Sequence, residues 1–411
     1  MTLDEAHGRA PRSPAAPLRG VRRMAVVALV LAAVNLRPGV TSLGPVLEEV
    51  RDSLDMSGSV TGLVTSVPAV CFAVVGSTAP LLARRFGASG VIAVAGAVLA
   101  VGLALRSFAL DPVLFVVLTA LSLAGIAVAN VLLPMVVKQR FPDRVGAMTG
   151  LYSMALNVGA SSAAALTVPL AESFGGDWRY GLGAWSVLAA LAVPPWLFLA
   201  RRRTKLPAGH IGGTAGPPPA AGGRLSRDPT AWALAVYFGL QASSAYIIIG
   251  WLPQIFRDAG LSAGTAGLLF SVSSLLGVPL SLALPAAAGR LRHQSGLAAG
   301  IGMCGFAGFA GLWFDPALAP WLWAVLLGVA NCSFPLALTM IGMRGRDSAT
   351  VARLSGFAQS TGYALSIPGP LVVGILYDRA DGWRLPLTFV LLLTLVQIAA
   401  AVPAGRDRQI G

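Results

Sequence analysis

The sequence predicts an all-α membrane protein of twelve transmembrane helices arranged as two parallel six-helix bundles, and three observations carry that expectation. Among 411 residues 55% are hydrophobic and only 11% are charged, too few to cover a water-soluble surface, where about 25% is usual. Apolar stretches of roughly 20 residues, enough to cross about 30 Å of hydrocarbon, recur through the chain. Features of the first half return in the second at an offset near 205 residues, the mark of a duplicated unit.

The expected spans are 24–48, 59–83, 90–108, 113–137, 145–170, 180–200, 231–255, 262–288, 296–314, 318–341, 353–376 and 384–403. They divide the chain into a tail at 1–23, a bundle at 24–200, a linker at 201–229, a second bundle at 230–403 and a tail at 404–411. Span 1 follows a basic tail but exceeds the roughly 7 to 15 apolar residues of a signal peptide and contains Asn35, Arg37 and Pro38, so it stays attached as a membrane helix. Ser57 and Gly62 entering span 2, with Pro80 and Arg85 at its exit, are answered by Ser262, Gly267, Pro285 and Arg290 in span 8. Asn130-x3-Pro134 in span 4 is answered by Asn331-x3-Pro335 in span 10. Trp178-Arg179 before span 6 is answered by Trp383-Arg384 before span 12. Between spans 6 and 7 lies Arg201-Arg202-Arg203 and a Gly/Pro/Ala tract with Pro217-Pro218-Pro219, which reads as a flexible linker. Gly146-x3-Gly150 and Gly296-x3-Gly300 suit tight helix packing.

The formal charge of +13 would suit a nucleic-acid binder only if basic residues gathered with aromatics on one solvated face. They follow the spans instead. Of 30 Lys and Arg, 23 fall in the tails, the linker and the loops on their side, against six in the other loops: Arg51, Arg106, Arg179, Arg257, Arg379 and Arg384. The positive-inside rule places both termini and the linker in the cytoplasm, in the cytoplasmic (inner) membrane. The partners expected are the lipid bilayer and a small-molecule substrate, with no nucleic acid. Cys71, Cys304 and Cys332 sit in separate apolar segments and form neither a disulfide framework nor a metal spacing. His7, His210 and His293 lie in tail, linker and loop. No catalytic constellation, cofactor motif or metal cluster is visible, which argues against an enzyme.

Asn35-Leu36-Arg37-Pro38 with Gly44-Pro45, Asn130 to Pro134 followed by Phe141-Pro142, Gly150-Leu151-Tyr152, Gln241 to Tyr246 with Trp251-Leu252-Pro253, and Gln359-x3-Tyr363 with Gly369-Pro370 together resemble the cyanate/nitroimidazole transporter family of the major facilitator superfamily. The resemblance covers nearly the whole chain apart from the N-terminal tail and linker, and Asn-Leu-Arg-Pro is its most specific part. It implies the major facilitator fold and transport by alternating access of a small polar or anionic solute, of the cyanate-like or nitroheterocycle class. One departure stands out. In the superfamily's motif between spans 2 and 3, Pro80 replaces the leading Gly and Arg84 occupies the usual Asp place, leaving only Arg85 and Gly87 matched. That puts the usual ion-pair latch of the motif in doubt.

Arg37 lies near the middle of span 1, where an arginine costs roughly 2.5–3.5 kcal/mol on insertion scales and must face a cavity or a partner. No Asp or Glu stands in the interior of any expected span, Glu48 and Glu49 ending span 1 at the outer surface where they are expected to be solvated, so an anionic or electron-rich substrate is the leading partner, over a structural clamp on helix carbonyls. Pro38 and Gly39 predict a break beside it, with an outer half-helix aiming its N-terminus at the same point and Thr41 and Ser42 satisfying freed carbonyls. Asn35, two residues away on a helix, points elsewhere unless the break turns it. Ser153, Asn157 and Ser161 form one stripe on span 5, and Gln359, Tyr363 and Ser366 another on span 11; cavity lining and helix glue are equally open for both. In span 7, Tyr237, Gln241 and Ser244 share a face, Tyr246 matches the family pattern, and Trp251 sits where interfacial anchors do. The substrate-binding set expected is therefore Arg37, Asn35, Asn130, Gln241, Tyr246, Asn157, Gln359 and Tyr363. Drug/proton antiport and a membrane sensor or scaffold without transport are the alternatives. The first usually needs an intramembrane carboxylate, although a proton can also travel on a weakly acidic substrate, so coupling stays open.

Overall fold

The structure is a computed structural model and describes residues 19–201, 225–346, 348–380 and 382–410. Most of the expected N-terminal tail and linker lie outside the described residues. The described chain is helical throughout. The first bundle is built from α1 (Arg19–Asn35), α2 (Pro38–Thr41), α3 (Leu47–Ser53), α4 (Gly58–Phe86), α5 (Ala88–Arg106), α6 (Pro112–Arg140), α7 (Val145–Glu172) and α8 (Trp178–Arg201). The second comprises α9 (Pro229–Asp258), α10 (Ala263–Leu275), α11 (Gly277–Arg290), α12 (Ser295–Phe314), α13 (Pro320–Asn331), α14 (Ser333–Arg344), α15 (Ser348–Ser366), α16 (Pro368–Arg379) and α17 (Arg384–Ala404).

Helix starts follow from side chains that accept orphan backbone N–H groups. The repeat mates Ser57 and Ser262 cap α4 and α10 from equivalent places, accepting from Val60 and Thr265. Asp111 and Asp228, each followed by proline at the first helical position, cap α6 and α9. Breaks follow from proline, which leaves the carbonyl four residues back without its donor. Pro38, Pro279, Pro335 and Pro368 accompany interruptions at Leu36–Arg37, Leu276, Cys332 and Ile367. Pro134 does not break α6, so Asn130 lies on a continuous helix whereas its mate Asn331 ends one.

Among the described residues, eleven helical stretches are long and apolar enough to cross a membrane. The twelfth expected span is the pair α15 and α16, where the polar stripe of Gln359, Thr361, Tyr363 and Ser366 lowers the hydropathy and Pro368 divides the helix. Within the first bundle α5 packs on α6 and α8, and α1 on α7 and α8; within the second α9 packs on α15 and α17, and α12 on α13 and α17. The bundles meet chiefly where α7 lies along α10 and α4 along α16.

Two sequence expectations around span 1 are corrected. The half beyond the break is no continuous half-helix: four-residue α2, a 3-10 turn at Gly44–Val46 and seven-residue α3 follow one another, so no substantial helix dipole is aimed at Arg37. Arg106, counted with the loops, is instead fully buried beneath the break. Its guanidinium donates to the Gly39 carbonyl at 2.9 Å and to Ser42 Oγ at 3.2 Å, while Thr41 Oγ1 donates to the Arg37 carbonyl at 3.0 Å. Replacing Arg106 by leucine strands these acceptors, and an unsatisfied buried group bonded to a charge costs about 2–3 kcal/mol. Arg106→Leu is expected to lower the melting temperature in detergent by several degrees, and an unchanged value would refute the clamp.

Candidate functional site

The break in span 1 leaves Arg37 half-buried between the bundles. Its side chain makes no hydrogen bond and no ion pair with any described residue. Three phenols lie near enough to feel its charge, those of Tyr152 on α7, Tyr246 on α9 and Tyr363 on α15. One bundle therefore contributes Arg37 and Tyr152, the other Tyr246 and Tyr363. Tyr152 Oη donates to Asn130 Oδ1 at 2.9 Å, which fixes the phenol. Phe72 of α4 stacks on Tyr363 with ring centroids 5.4 Å apart and planes at 16°, and Phe238 meets the same ring edge-on at 5.1 Å. Cys71 lies buried on α4 one residue before Phe72, its thiol donating to Ala120 O at 3.5 Å.

An unpaired guanidinium presents a planar fork that matches carboxylate-like anions two bonds at a time. The surrounding phenols offer hydrogen bonds, and the ring faces pack flat apolar surface. Such an arrangement is chemically suited to a small, flat, electron-rich solute.

Four of the eight expected residues come together here: Arg37, Asn130, Tyr246 and Tyr363. The other four do not. Asn35 is buried in the first bundle, donating to the carbonyls of Leu31 at 2.8 Å and Leu188 at 3.1 Å. The break begins after it, so nothing turns it toward Arg37. Gln241 is buried in the second bundle, facing Asn331 and Gln397, because five residues along α9 rotate it about 140° from Tyr246. Asn157 donates to Ser153 O at 3.0 Å and lies against Gly277 of the partner bundle; Ser161 of that stripe donates to Ser271 O at 3.2 Å, so the stripe joins α7 to α10. Gln359, one turn before Tyr363 on the same face of α15, donates to Ser355 Oγ at 2.6 Å and makes no hydrogen bond to Arg37 or the three tyrosines. Tyr152, Phe72 and Cys71 went unassigned. Tyr152 carried a signal, since it ends the Gly150-Leu151-Tyr152 element of the family pattern; an apolar Phe or Cys within an apolar span carries none.

Polar contacts joining the bundles gather between this cluster and the face opposite the termini. Ser66 Oγ donates to Ile367 O at 3.0 Å. Further out, Arg257 pairs with Glu48 at 2.9 Å and Glu49 at 2.8 Å, correcting the expectation that these glutamates are merely solvated. Asp378 at the end of α16 caps α4 across the interface, accepting from Gly58 N at 2.5 Å, Ser59 N at 2.7 Å and Ser59 Oγ at 2.8 Å. The opposite face is thus shut. A capping carboxylate contributes about 1 kcal/mol, so Asp378→Ala is expected to raise the open population at that face roughly fivefold. Faster modification of Cys71 by an impermeant thiol reagent applied from that face reads this; an unaltered rate refutes the cap's role.

Comparison with known proteins agrees with the architecture. Residues 24–366 match the Major Facilitator Superfamily. The 2-nitroimidazole transporter of Escherichia coli (strain K12) is 33% identical over 397 residues, covering 96% of this chain and 98% of that protein. The cyanate transport protein CynX of the same organism is 30% identical over 370 residues, covering 89% and 92%. Among solved structures, a bacterial homolog of the human lysosomal transporter Spinster, in an inward-facing and occupied conformation, superposes with a TM-score of 0.77 at 14% identity over 94% of this chain and 97% of that one. Two helical bundles meeting around a central charged site, with a family match over most of the length and relatives aligned almost end to end, make this chain a multi-pass membrane transporter of the Major Facilitator Superfamily.

Proposed function

We propose that the chain carries a small, flat, anionic or electron-rich solute across the cytoplasmic membrane by alternating access, with both termini in the cytoplasm. Arg37 binds the negative end of the solute, Tyr152, Tyr246 and Tyr363 hydrogen-bond and pack on its body, and Asn130 positions Tyr152. The observation that carries this reading is Arg37 itself: a half-buried cation without a partner among the described residues, ringed by phenols from both bundles. A cation so placed waits for a ligand. Because the ring draws on both bundles, parting them at one face or the other exposes the solute to alternate sides. The relatives named for 2-nitroimidazole and cyanate transport supply the probes. No carboxylate lies within ion-pair distance of Arg37 among the described residues, so a coupled proton would travel on a weakly acidic solute.

Proteoliposomes holding the purified chain are expected to move labelled 2-nitroimidazole or cyanate faster than empty liposomes, with the two probes competing. Flux equal to that of empty liposomes for both, from protein that binds neither in a thermal-shift assay, would refute this solute class.

A further inference from the structure

The face of α9 that carries Tyr237, Gln241 and Ser244 looks away from the site and into the second bundle. Gln241 Oε1 and Ser244 Oγ are both buried and lack a hydrogen-bond partner among the described residues. Gln241, only 3% exposed, borders a cavity with Ser244, Asn331, Thr394 and Gln397, alongside apolar Phe309. The side chains of Asn331 and Gln397 make no hydrogen bond to a described residue either, while Thr394 Oγ1 donates to Val390 O at 2.8 Å and keeps its lone pairs. Polar atoms from spans 7, 10 and 12 thus converge on one space. That space is about 10 Å³, room for one water.

The repeat supplies an internal control. Asn35 corresponds to Gln241 and Gly96 to Gly302, both at an offset of 206 residues, and Ala192 corresponds to Gln397 at 205. The equivalent space in the first bundle is about 20 Å³, twice as large, but chemically different. Ile92, Leu99, Ala129 and Ala192 line it, Asn35 gives its amide N–H groups to Leu31 and Leu188, and Trp196 gives its indole N–H to Ala28. A water there would find at most one partner, below the two to four it needs.

We infer that the second bundle holds an ordered water bridging Gln241, Ser244, Asn331 and Gln397, and that its counterpart in the first bundle is dry. Neutral donors and acceptors without a carboxylate suit water over an ion. The position is mechanically pointed. α13 ends at Asn331 and α14 begins at Ser333, and Pro335 cannot donate to the Asn331 carbonyl. The water ties the joint of span 10 to spans 7 and 12 through bonds that can exchange as the joint flexes.

An experimental structure at about 2 Å resolution is expected to show water density touching Gln241 and Asn331 and none beside Asn35. Gln241→Met keeps the volume but removes the amide. In a hydrated site it strands Ser244, Asn331 and Gln397, lowering the melting temperature by about 2 °C or more. In a dry site it relieves an unpaired buried oxygen and raises it. Absence of density in the second bundle at that resolution, or a Gln241→Met melting temperature at or above that of the parent, overturns the inference. Neither readout depends on which solute is carried.

Discussion

Arg37→Ala is expected to lower solute binding and flux by about 100-fold or more while leaving the protein folded and more heat-stable. Truncating one partner of a buried charge pair costs about 2–5 kcal/mol of binding, and 2.7 kcal/mol is already 100-fold. Stability should move the other way. The guanidinium has no bond to a described residue that its loss would break, and an arginine at mid-membrane costs roughly 2.5–3.5 kcal/mol to insert. A clamp residue would lose stability on truncation, so the two readouts separate a binding cation from a structural one. Arg37→Lys keeps the charge but gives up the planar fork, and an intermediate loss of about tenfold is expected. Radiotracer flux and thermal shift on the same preparations measure both. Binding and flux within twofold of the parent in Arg37→Ala, or a lowered melting temperature, would remove Arg37 from the site.

Why Arg37 was legible in the sequence and its neighbours were not is a matter of helical geometry. A charge inside an apolar span announces its own cost, and Pro38 beside it announces a break. The repeated Ser57 and Ser262 announce helix starts, and both prove to be caps. Polar side chains within a span announce less, because periodicity gives a stripe without saying whether that stripe faces the partner bundle or its own. Tyr246 and Gln241 sit on the same helix, yet about 140° of rotation sends one to Arg37 and the other into the second bundle. The repeat makes the ambiguity visible: Asn35 and Gln241 occupy equivalent places and both turn inward. Charges at span ends are deceptive for a related reason. Arg106 counts with the loops and Asp378 falls past the span expected at 353–376, but one reaches under the break of span 1 and the other caps a helix 319 to 320 residues away in sequence. Contacts of that range leave no local pattern to read.

The same long-range packing gives the second large expectation, a block to the transport cycle from Gly374→Val. Gly374 of α16 meets Gly58 and Gly62 of α4 with no side chain between the backbones. A Cβ at Gly374 would fall on the Gly58 carbonyl oxygen, and one at Gly62 would stand 2.9 Å from the Pro370 carbonyl oxygen. Backbone atoms in two packed helices cannot swing aside as a flexible side chain would. Overpacking of ordinary cores costs about 1–3 kcal/mol, and an overlap with a carbonyl belongs at or above the top of that range. The overlap exists only while the opposite face is shut. When the bundles part there, valine at 374 projects into the gap, so the variant folds but resists closing, and a penalty near 3 kcal/mol shifts the equilibrium by more than 100-fold. Flux should fall accordingly. Paired spin labels at Ser53 and Gly264, in a background without the native cysteines, should show a longer distance than in the parent. Asp378→Ala lengthens the same distance for a different reason, by removing an attraction, and combining it with Gly374→Val should add little, since a face already held apart has no cap left to lose. Parent-like flux with an unchanged label distance in Gly374→Val would mean that α4 and α16 are not the surfaces on which this transporter closes.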